Sequence, residues 1–280
     1  MESNLLFDIK PNKHGVYEVD RDAKERSDAR VLRIVHISDT HNKHREYAPH
    51  IPGGDVLVHS GDFSNFNFFR KWFKEIDYRY ELKALDKFFG SLPHKHKIFV
   101  AGNHDLNLEK HTSQEIRNNV KNFTYLQDDW IEIEGLKFYG SPWTASRSSS
   151  RADAFTEPIE ELDSKWSKLP DDIDVLVTHM PPLGIRDKEY IYRGRFKTMS
   201  FDPCKFCESR AHPLSVHYFG SKGLLDALKR IRPKIHVFGH VHGTNGVTRL
   251  KHNQDGTANT FCSNASMEGH PTPVVYDLFY

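Results

Sequence analysis

Residues 31–41 read VLRIVHISDTH, a β-branched apolar run that ends in a cluster of polar side chains. The same pattern returns in DVLVHSGD at 55–62, KIFVAGNHD at 97–105, LKFYGSPW at 136–143, DVLVTHMPP at 174–182 and KIHVFGHVH at 234–242. Short apolar runs of this kind predict buried strands. Strands that pass into polar loops at their C-terminal ends are typical of an α/β sheet with a functional site along one edge.

Helices are predicted between these runs, at 66–89, 224–231 and, more weakly in pattern, 114–120. After His242 the sequence becomes strand-like, which indicates a second and more antiparallel sheet. Residues 1–30 are predicted to be a charged N-terminal arm, and residues 31–280 a single domain. Within that domain, about 186–222 lacks a clear period and is predicted to be a long excursion from the sheet.

Charge and cysteine content argue against several classes of protein. The 39 Lys and Arg residues balance 38 Asp and Glu, so a dedicated nucleic-acid binder is disfavoured. Three cysteines cannot build a disulfide scaffold, and neither a signal-peptide pattern nor an 18-residue apolar window is present. We therefore expect a cytoplasmic protein without a membrane partner. Histidine stands out, with 18 of 280 residues, and this prompts a search for metal ligands.

Side chains with oxygen and nitrogen donors follow five of the six apolar runs. They are Asp39 and His41, then Asp62, then Asn103 with His104 and Asp105, then His179, then His240 and His242. A lone histidine or aspartate at a strand end is more often structural or a helix cap. Five such blocks in one chain are hard to produce by chance. Two of these carboxylates, the amide and four of the imidazoles make seven donors that suit Mn²⁺, Zn²⁺ or iron. Seven ligands are too many for one ion and right for two ions that share a bridge.

These blocks resemble the signature of the calcineurin-like metallophosphoesterases, which reads D-x-H, G-D, G-N-H-D, a later His, and G-H-x-H. The segments ISDTHN, AGNHD, THMPPLG and SNAS are also similar to the small group of metallophosphoesterase domain-containing proteins. The resemblance runs from about residue 32 to residue 278. It implies an α/β (α+β) fold of four layers, in which a β-sandwich of two mixed sheets is flanked by helices.

The resemblance also implies which residues hold two divalent ions. One ion would bind Asp39, His41 and His242, the other would bind Asn103, His179 and His240, and Asp62 would bridge them. Mn²⁺ is the expected metal, with Zn²⁺ or iron as alternatives. FSNFNFF after Asp62 lacks the tyrosine that binds iron in the purple acid phosphatases, so a Mn²⁺ or Zn²⁺ pair is favoured over the purple type. A hydroxide bridging the ions would be the nucleophile that attacks a phosphoester.

Two residues beside the ligands would take part in catalysis by the same resemblance. His104, with Asn103, would bind a phosphate oxygen, and His104 could protonate the leaving group. Asp105 would orient His104 through its ring N–H.

The excursion carries a separate hypothesis. Cys204, Cys207, His212 and His217 have a spacing similar to that of a zinc knuckle, which would make a structural zinc site. The alternative is two free thiols and two loop histidines, with His217 near the active site. Arg186 and His217 are further candidates for contact with substrate.

The leading interpretation is a phosphodiesterase that acts on small nucleotide-like phosphodiesters. A phosphomonoesterase or a protein phosphatase is an alternative within the enzymes. The competing class is a nucleotide-binding scaffold with weak catalysis, whose partner would be a mononucleotide. The presence of both His104 and His240 favours the enzyme.

Overall fold

The computed structural model describes residues 6–20, 23, 25, 26, 28–65, 78–146, 154–190, 216–253, 258–269 and 271–280. One half of the molecule is a seven-stranded mixed sheet. Its strands, in spatial order, are β1 (Leu6–Asp8), β15 (Gly246–Lys251), β16 (Asn259–Asn264), β14 (Ile235–Phe238), β11 (Val175–Thr178), β8 (Leu136–Ser141) and β7 (Asp129–Ile133). The four central strands from β16 to β8 run parallel, and the outer strands pair antiparallel with their neighbours.

The other half is a six-stranded mixed sheet. Its strands, in spatial order, are β2 (Val16–Val19), β17 (Val274–Phe279), β3 (Val31–Ile37), β4 (Val56–His59), β5 (His96–Phe99) and β6 (Thr124–Tyr125). Strand β17 pairs antiparallel with β3, and the remaining neighbours are parallel. The sequence after His242 therefore does not form a sheet of its own, because its three strands are divided between the two sheets.

Helices and two short strand pairs complete the described chain. The helices are α1 (His44–Tyr47), α2 (Tyr78–Gly90), α3 (Ser113–Asn118), α4 (Ile159–Ser167) and α5 (Lys222–Ile231), with 3-10 turns at Ala48–His50 and His242–Thr244. Strands β9 (Thr144–Ala145) and β10 (Thr156–Glu157) pair in parallel, and β12 (Lys188–Tyr190) pairs antiparallel with β13 (Val216–Tyr218). Helix α4 was not predicted, and residues 66–77 of the predicted 66–89 helix lie outside the described ranges.

Strand alternation divides the apolar side chains among three cores. Ile34 and Val177 point into the layer between the two sheets. Their neighbours point the other way, since Val35 packs with helix α2 and Leu176 packs with helices α4 and α5. Helix, sheet, sheet and helix thus form four layers, and the predicted fold class is confirmed.

The predicted N-terminal arm contains regular structure that joins both sheets. Strand β1 pairs with β15, with Phe7 opposite Arg249, and strand β2 pairs with β17, with Tyr17 opposite Tyr276. Val19 is fully buried in the core between the sheets. The run of charged residues at 20–30 comes after these two strands, so only the last third of the predicted arm has that charged character. In the parts of the chain that the structure describes, no helix has the length and apolarity needed to cross a bilayer.

Candidate metal centre

The seven predicted ligands come from loops at the ends of strands in both sheets. Asp39, Asp62 and Asn103 follow β3, β4 and β5 of the six-stranded sheet, whereas His179 and His240 follow β11 and β14 of the seven-stranded sheet. The expectation that these residues share the edge of one sheet is therefore wrong. They meet because the two sheets are stacked, and the parallel strands of each sheet bring their C-terminal ends to the same end of the sandwich.

Several ligand residues lie on backbone that L-amino acids seldom adopt. The φ angles of Asp39, His41, Asp62 and His240 are 52°, 43°, 57° and 69°. Such left-handed conformations cost roughly 1–3 kcal/mol each and persist where the surrounding structure holds them. They turn each side chain from the direction of its strand into the space between the loops.

Two glycines in the motifs leave room for the carboxylates. A Cβ atom at Gly102 would clash with Asp62 Oδ1, and one at Gly239 would clash with Asp39 Oδ2. Both obstacles are parts of the site rather than the ends of flexible surface side chains. The G-N-H-D and G-H-x-H motifs therefore need glycine because the backbone passes directly against a ligand.

The first cluster consists of Asp39, His41, Asp62 and His242, with one ligand atom from each within 4.8 Å of the others. His242 Nε2 lies 3.2 Å from Asp39 Oδ1 and 3.1 Å from His41 Nε2. His41 Nε2 is 3.9 Å from Asp62 Oδ2. Two imidazoles and two carboxylates thus converge on one point.

The second cluster consists of Asp62, Asn103, His179 and His240. Asn103 Oδ1 lies 3.0 Å from His179 Nε2 and 2.8 Å from His240 Nδ1. His179 Nε2 is also 3.3 Å from Asp62 Oδ2. This cluster has a single carboxylate, Asp62, which it shares with the first cluster.

Asp62 Oδ2 is the atom that joins the two clusters. It is buried and makes no hydrogen bond with the residues described, although imidazole nitrogens of both clusters lie within 4 Å of it. The other oxygen, Oδ1, accepts a bond from the His104 amide at 2.8 Å. A buried carboxylate oxygen without a donor is costly unless a cation is bound to it. The donor set therefore fits two divalent ions with Asp62 between them.

Backbone carbonyls orient two of the histidines. His41 Nδ1 lies 3.0 Å from the Ser64 carbonyl, and His179 Nδ1 lies 2.8 Å from the Ser60 carbonyl. A carbonyl can only accept, so each Nδ1 carries a proton, and in the neutral ring the lone pair of Nε2 then faces the cluster. This is the tautomer that a metal ligand requires.

Comparison with known proteins gives the site its family. The sequence model of the family described as "Calcineurin-like phosphoesterase" matches residues 32–244. The chain belongs to this family. A UPF0046 protein of Caenorhabditis elegans is 35% identical over 264 residues, which cover 88% of this chain and 79% of that protein. The human metallophosphoesterase domain-containing protein 1 is 29% identical over 273 residues, which cover 88% of this chain and 71% of that protein.

A solved crystal structure has the same fold as this calcineurin-like phosphoesterase. The two match with a TM-score of 0.56 over 89% of this chain and 95% of the other, at 17% sequence identity. The family and the clustered ligands identify the chain as a metal-binding hydrolase of phosphoesters.

Charges in the phosphoesterase site stabilise one another. Burial alone would raise the pKa values of Asp39 and Asp62, but the His242 bond to Asp39 and the charge of His179 near Asp62 outweigh it and hold both carboxyls well below their usual range. Burial conversely opposes a charge on these two histidines, and the carboxylates raise the pKa of each to about 9. The site is thus built to hold opposite charges in a buried position.

His104 lies at the open side of the site. Its side chain is 31% exposed, its ring contacts the His41 ring edge-on, and its Nε2 is 4.0 Å from Asp62 Oδ2. This position is compatible with contact to a bound phosphate.

Asp105 requires a correction, because it does not orient the His104 ring. Its Oδ2 accepts bonds from the amides of Asp62 and Gly102 at 3.0 and 2.8 Å, and its Oδ1 accepts one from the Ser64 amide at 2.9 Å. Burial and the Asp62 charge raise the pKa of Asp105, to about 7. Asp105 therefore ties the Asp62 loop to the Asn103 loop and positions the bridging carboxylate.

Arg186 also differs from its predicted role as a substrate contact. Its guanidinium donates to the Val247 carbonyl and to Thr248 Oγ1, and it pairs with Asp8 at 2.8 Å. These bonds fasten strand β1 to strand β15, so the donors of Arg186 are directed to the sheet edge rather than to the ligands.

His217 lies on β13, in the hairpin at the base of the excursion. Its ring stacks on Phe219, and the Phe219 ring contacts His240 edge-on, with centroids 5.9 Å apart. The hairpin thus reaches the second cluster through an aromatic contact. Cys204, Cys207 and His212 of the predicted zinc site lie outside the described residues.

The sequence analysis missed Glu268. Its Oε2 lies 3.1 Å from His242 Nδ1 and 3.3 Å from His41 Nε2, at the side of the first cluster. The signal was present in NASME at 264–268, directly after β16, where alternate residues point the same way. The segment was noted only as part of the resemblance.

Proposed function

We propose that this calcineurin-like phosphoesterase is a dinuclear enzyme that hydrolyses small, nucleotide-like phosphodiesters. The observation that carries the proposal is the buried Asp62 Oδ2, which lies between two ligand clusters and has no hydrogen-bond donor among the described residues. With a single ion, one of the two clusters would have no cation to bind. The proposed compartment is the cytoplasm, and the proposed partner is the substrate itself.

Two divalent ions, with Mn²⁺ as the proposed pair, would acidify water and neutralise the phosphorus-bound oxygens during an in-line displacement. Asp39, His41 and His242 would hold one ion, and Asn103, His179 and His240 the other. The chain contributes rigidity, because the left-handed backbone and the Asp105 bonds fix these side chains before substrate arrives.

His104 is proposed to meet the substrate directly. Its backbone amide is tied to Asp62 Oδ1, so the ring stands beside the bridging carboxylate while remaining partly open to solvent. A proton at Nε2 could be donated to a phosphate oxygen or to the leaving group. Either role places His104 on the substrate side of the ligands.

The charge of the site favours a diester over a monoester. Among the contacts that the structure describes for Asp39, His41, Asp62, His179 and His242, none comes from a Lys or Arg. The second negative charge of a monoester is commonly met by such a residue. A nucleotide-like diester carries one charge and suits this balance.

A direct test compares two chromogenic substrates on one preparation. Purified protein is freed of metal, loaded with Mn²⁺, analysed for metal content, and assayed with bis(4-nitrophenyl) phosphate and 4-nitrophenyl phosphate. The proposal predicts two ions per chain and a higher kcat/KM for the diester. Preference for the monoester would support the phosphomonoesterase, whereas tight mononucleotide binding without turnover of either ester would support the scaffold.

A further inference from the structure

Glu268 contacts two ligands of the first cluster with one oxygen atom. Its Oε2 is 3.1 Å from Nδ1 of His242 and 3.3 Å from Nε2 of His41. The opposite nitrogen of His242, Nε2, lies 3.2 Å from Asp39 Oδ1. A proton on His242 Nδ1 that is donated to Glu268 would leave Nε2 free to bind an ion, which is the arrangement in which a carboxylate orients a ligand histidine.

The His242 ring needs such a partner more than the rings of His41, in the same cluster, and His179, in the second cluster. The side chains of His41 and His179 are 3% and 0% exposed, whereas that of His242 is 33% exposed. His41 and His179 are held by backbone carbonyls, but His242 begins a 3-10 turn outside the strands. Among the described residues, the partner of His242 Nδ1 is the carboxylate of Glu268 instead of a backbone carbonyl.

The position of Glu268 is fixed by the residues just before it. The Met267 amide donates to the Ser38 carbonyl at 2.9 Å, and the Met267 side chain is fully buried. The Ser38 amide in turn donates to the Ala265 carbonyl at 3.0 Å. Since Ser38 directly precedes Asp39, the backbone that carries Glu268 is tied to the backbone that carries a ligand.

The same segment also holds the loop of His242. The Asn264 side chain donates to the Val241 carbonyl at 2.7 Å, and the Ser266 carbonyl accepts from the Asn245 side chain at 3.1 Å. Asn264, Ser266 and Glu268 are alternate residues that each contact the 241–245 loop or its ligand. The end of β16 and the residues directly after it therefore act as one support for that loop.

Glu268 increases a difference in charge between the two clusters. The first cluster has Asp39 and Asp62 with Glu268 beside them, whereas the second has only the shared Asp62 and the neutral Asn103. A carboxylate at about 3 Å from two ligand nitrogens strengthens the attraction for a cation at short range. The difference predicts that an ion is held more tightly in the first cluster.

We propose that Glu268 is a positioning residue that orients His242 and sets the metal affinity of the first cluster, which makes that cluster the tighter of two unequal sites. The inference rests on the two-ion site proposed above. It assigns Glu268 a role in holding the metal and none in the chemical step.

The test is a Mn²⁺ titration of full-length metal-free protein by calorimetry, with Glu268→Gln and Glu268→Ala compared with wild type. Gln removes the charge but keeps an oxygen that can accept from His242, whereas Ala removes both. We expect Gln to weaken the tighter of two sites by about 10-fold and Ala by up to about 100-fold, the scale seen for partners of ligand histidines. Glu46→Gln, which removes an exposed charge on α1, is the matched control and should leave both sites unchanged.

A second pair of variants assigns the effect to one cluster. His240→Ala should leave a single Mn²⁺ site, and adding Glu268→Gln to it should weaken that remaining site by the same factor. Saturating Mn²⁺ should restore the kcat of Glu268→Gln, because only affinity is lost. If both sites of Glu268→Gln and Glu268→Ala bind Mn²⁺ within about twofold of the wild-type affinity, the role of Glu268 is overturned while the two-ion function stands. A wild-type protein that binds no Mn²⁺ would overturn the two-ion function as well.

Discussion

Histidines inside the strands and histidines just beyond the strands have opposite surroundings. Three in-strand histidines, His36, His59 and His236, are fully buried, and the strand-end histidines of the site are His41, His179, His240 and His242. Burial lowers the pKa of each of these three in-strand histidines, to about 3 for His59 and His236, whereas carboxylates raise the pKa of His179 and His242 to about 9. Histidine content alone therefore does not indicate a metal site.

The in-strand histidines are neutral members of the cores, bonded to hydroxyl groups. His36 bridges Ser263 of one sheet and Ser60 beside the other, both at 2.8 Å, and His236 donates to Thr178 at 2.8 Å. A shift of a few residues past the strand end changes this role, because the loops there bring the imidazole to a carboxylate. Position relative to the strand end distinguishes a ligand from a core residue.

The largest expected effect comes from removing the carboxylate that the strand-end histidines share. Asp62→Asn should abolish turnover and empty both metal sites, because the same oxygen belongs to both clusters. Metal content by atomic emission and turnover of bis(4-nitrophenyl) phosphate measure this. Loss of one ion with full retention of the other would show that Asp62 does not bridge.

His104→Ala should slow hydrolysis by about 10²-fold or more while both ions stay bound, since His104 faces the substrate rather than an ion. The loss should be smaller for esters with good leaving groups if His104 is a general acid. His50→Ala, which changes an exposed histidine on a 3-10 turn, is the control. Release of an ion from His104→Ala would make His104 a ligand.

Acid should destabilise the fold through the in-strand histidines. The pKa of His236 is about 3 in the fold against 6.5 ordinarily, so below pH 6.5 the unfolded chain takes up a proton that the folded chain does not. The contribution of neutral His236 to the free energy of unfolding is complete above pH 6.5 and is lost as the pH falls towards 3.

His236→Gln keeps a donor for Thr178 without the titration. Between neutral pH and about pH 5, the free energy of unfolding should fall by up to about 2 kcal/mol less in this variant than in wild type. Urea denaturation of metal-free protein at the two pH values measures the difference. Its metal stoichiometry should match wild type. Equal acid sensitivity in the two proteins would show that His236 is protonated in the fold.

The smallest effect is expected from the cysteine pair of the excursion. Cys204→Ser with Cys207→Ser should remove a third ion and leave the two catalytic ions and most thermal stability intact, because a structural zinc would hold only that segment. Metal analysis of zinc-loaded protein and a thermal melt provide the readout. Two ions in wild type and in the double variant would leave these residues as free thiols.

Sequence patterns predicted the strands well because burial imposes apolar runs that are visible locally. The apolar runs at 31–37, 56–59, 175–178 and 235–238 are all strands, and the ligand residues follow directly. The division of the strands between the two sheets was not visible, since β4 and β11 share the same Val-Leu-Val run although they belong to different sheets. Likewise, the short edge strands β1 and β2 lack a distinct pattern because edges are only partly buried.

Residues that act through tertiary contacts were the hardest to predict. Glu268 is 26 residues from His242 in sequence, and only the loop supported by the residues after β16 brings them together. Asp105 adjoins His104, which suggested a contact between their side chains, but its oxygens are directed to backbone amides of another loop. Arg186 was assigned to substrate by residue type alone, and Asp8, a residue of the predicted arm, is its actual partner.

The central claim, that the strand-end ligands hold two ions on either side of Asp62, is tested most directly by crystallography with Mn²⁺. Anomalous difference maps of Mn²⁺-soaked crystals should show two peaks per chain. One peak should lie against Asp39, His41 and His242, the other against Asn103, His179 and His240, with Asp62 bound to both. A single peak, or two peaks with Asp62 bound to only one of them, would contradict the account.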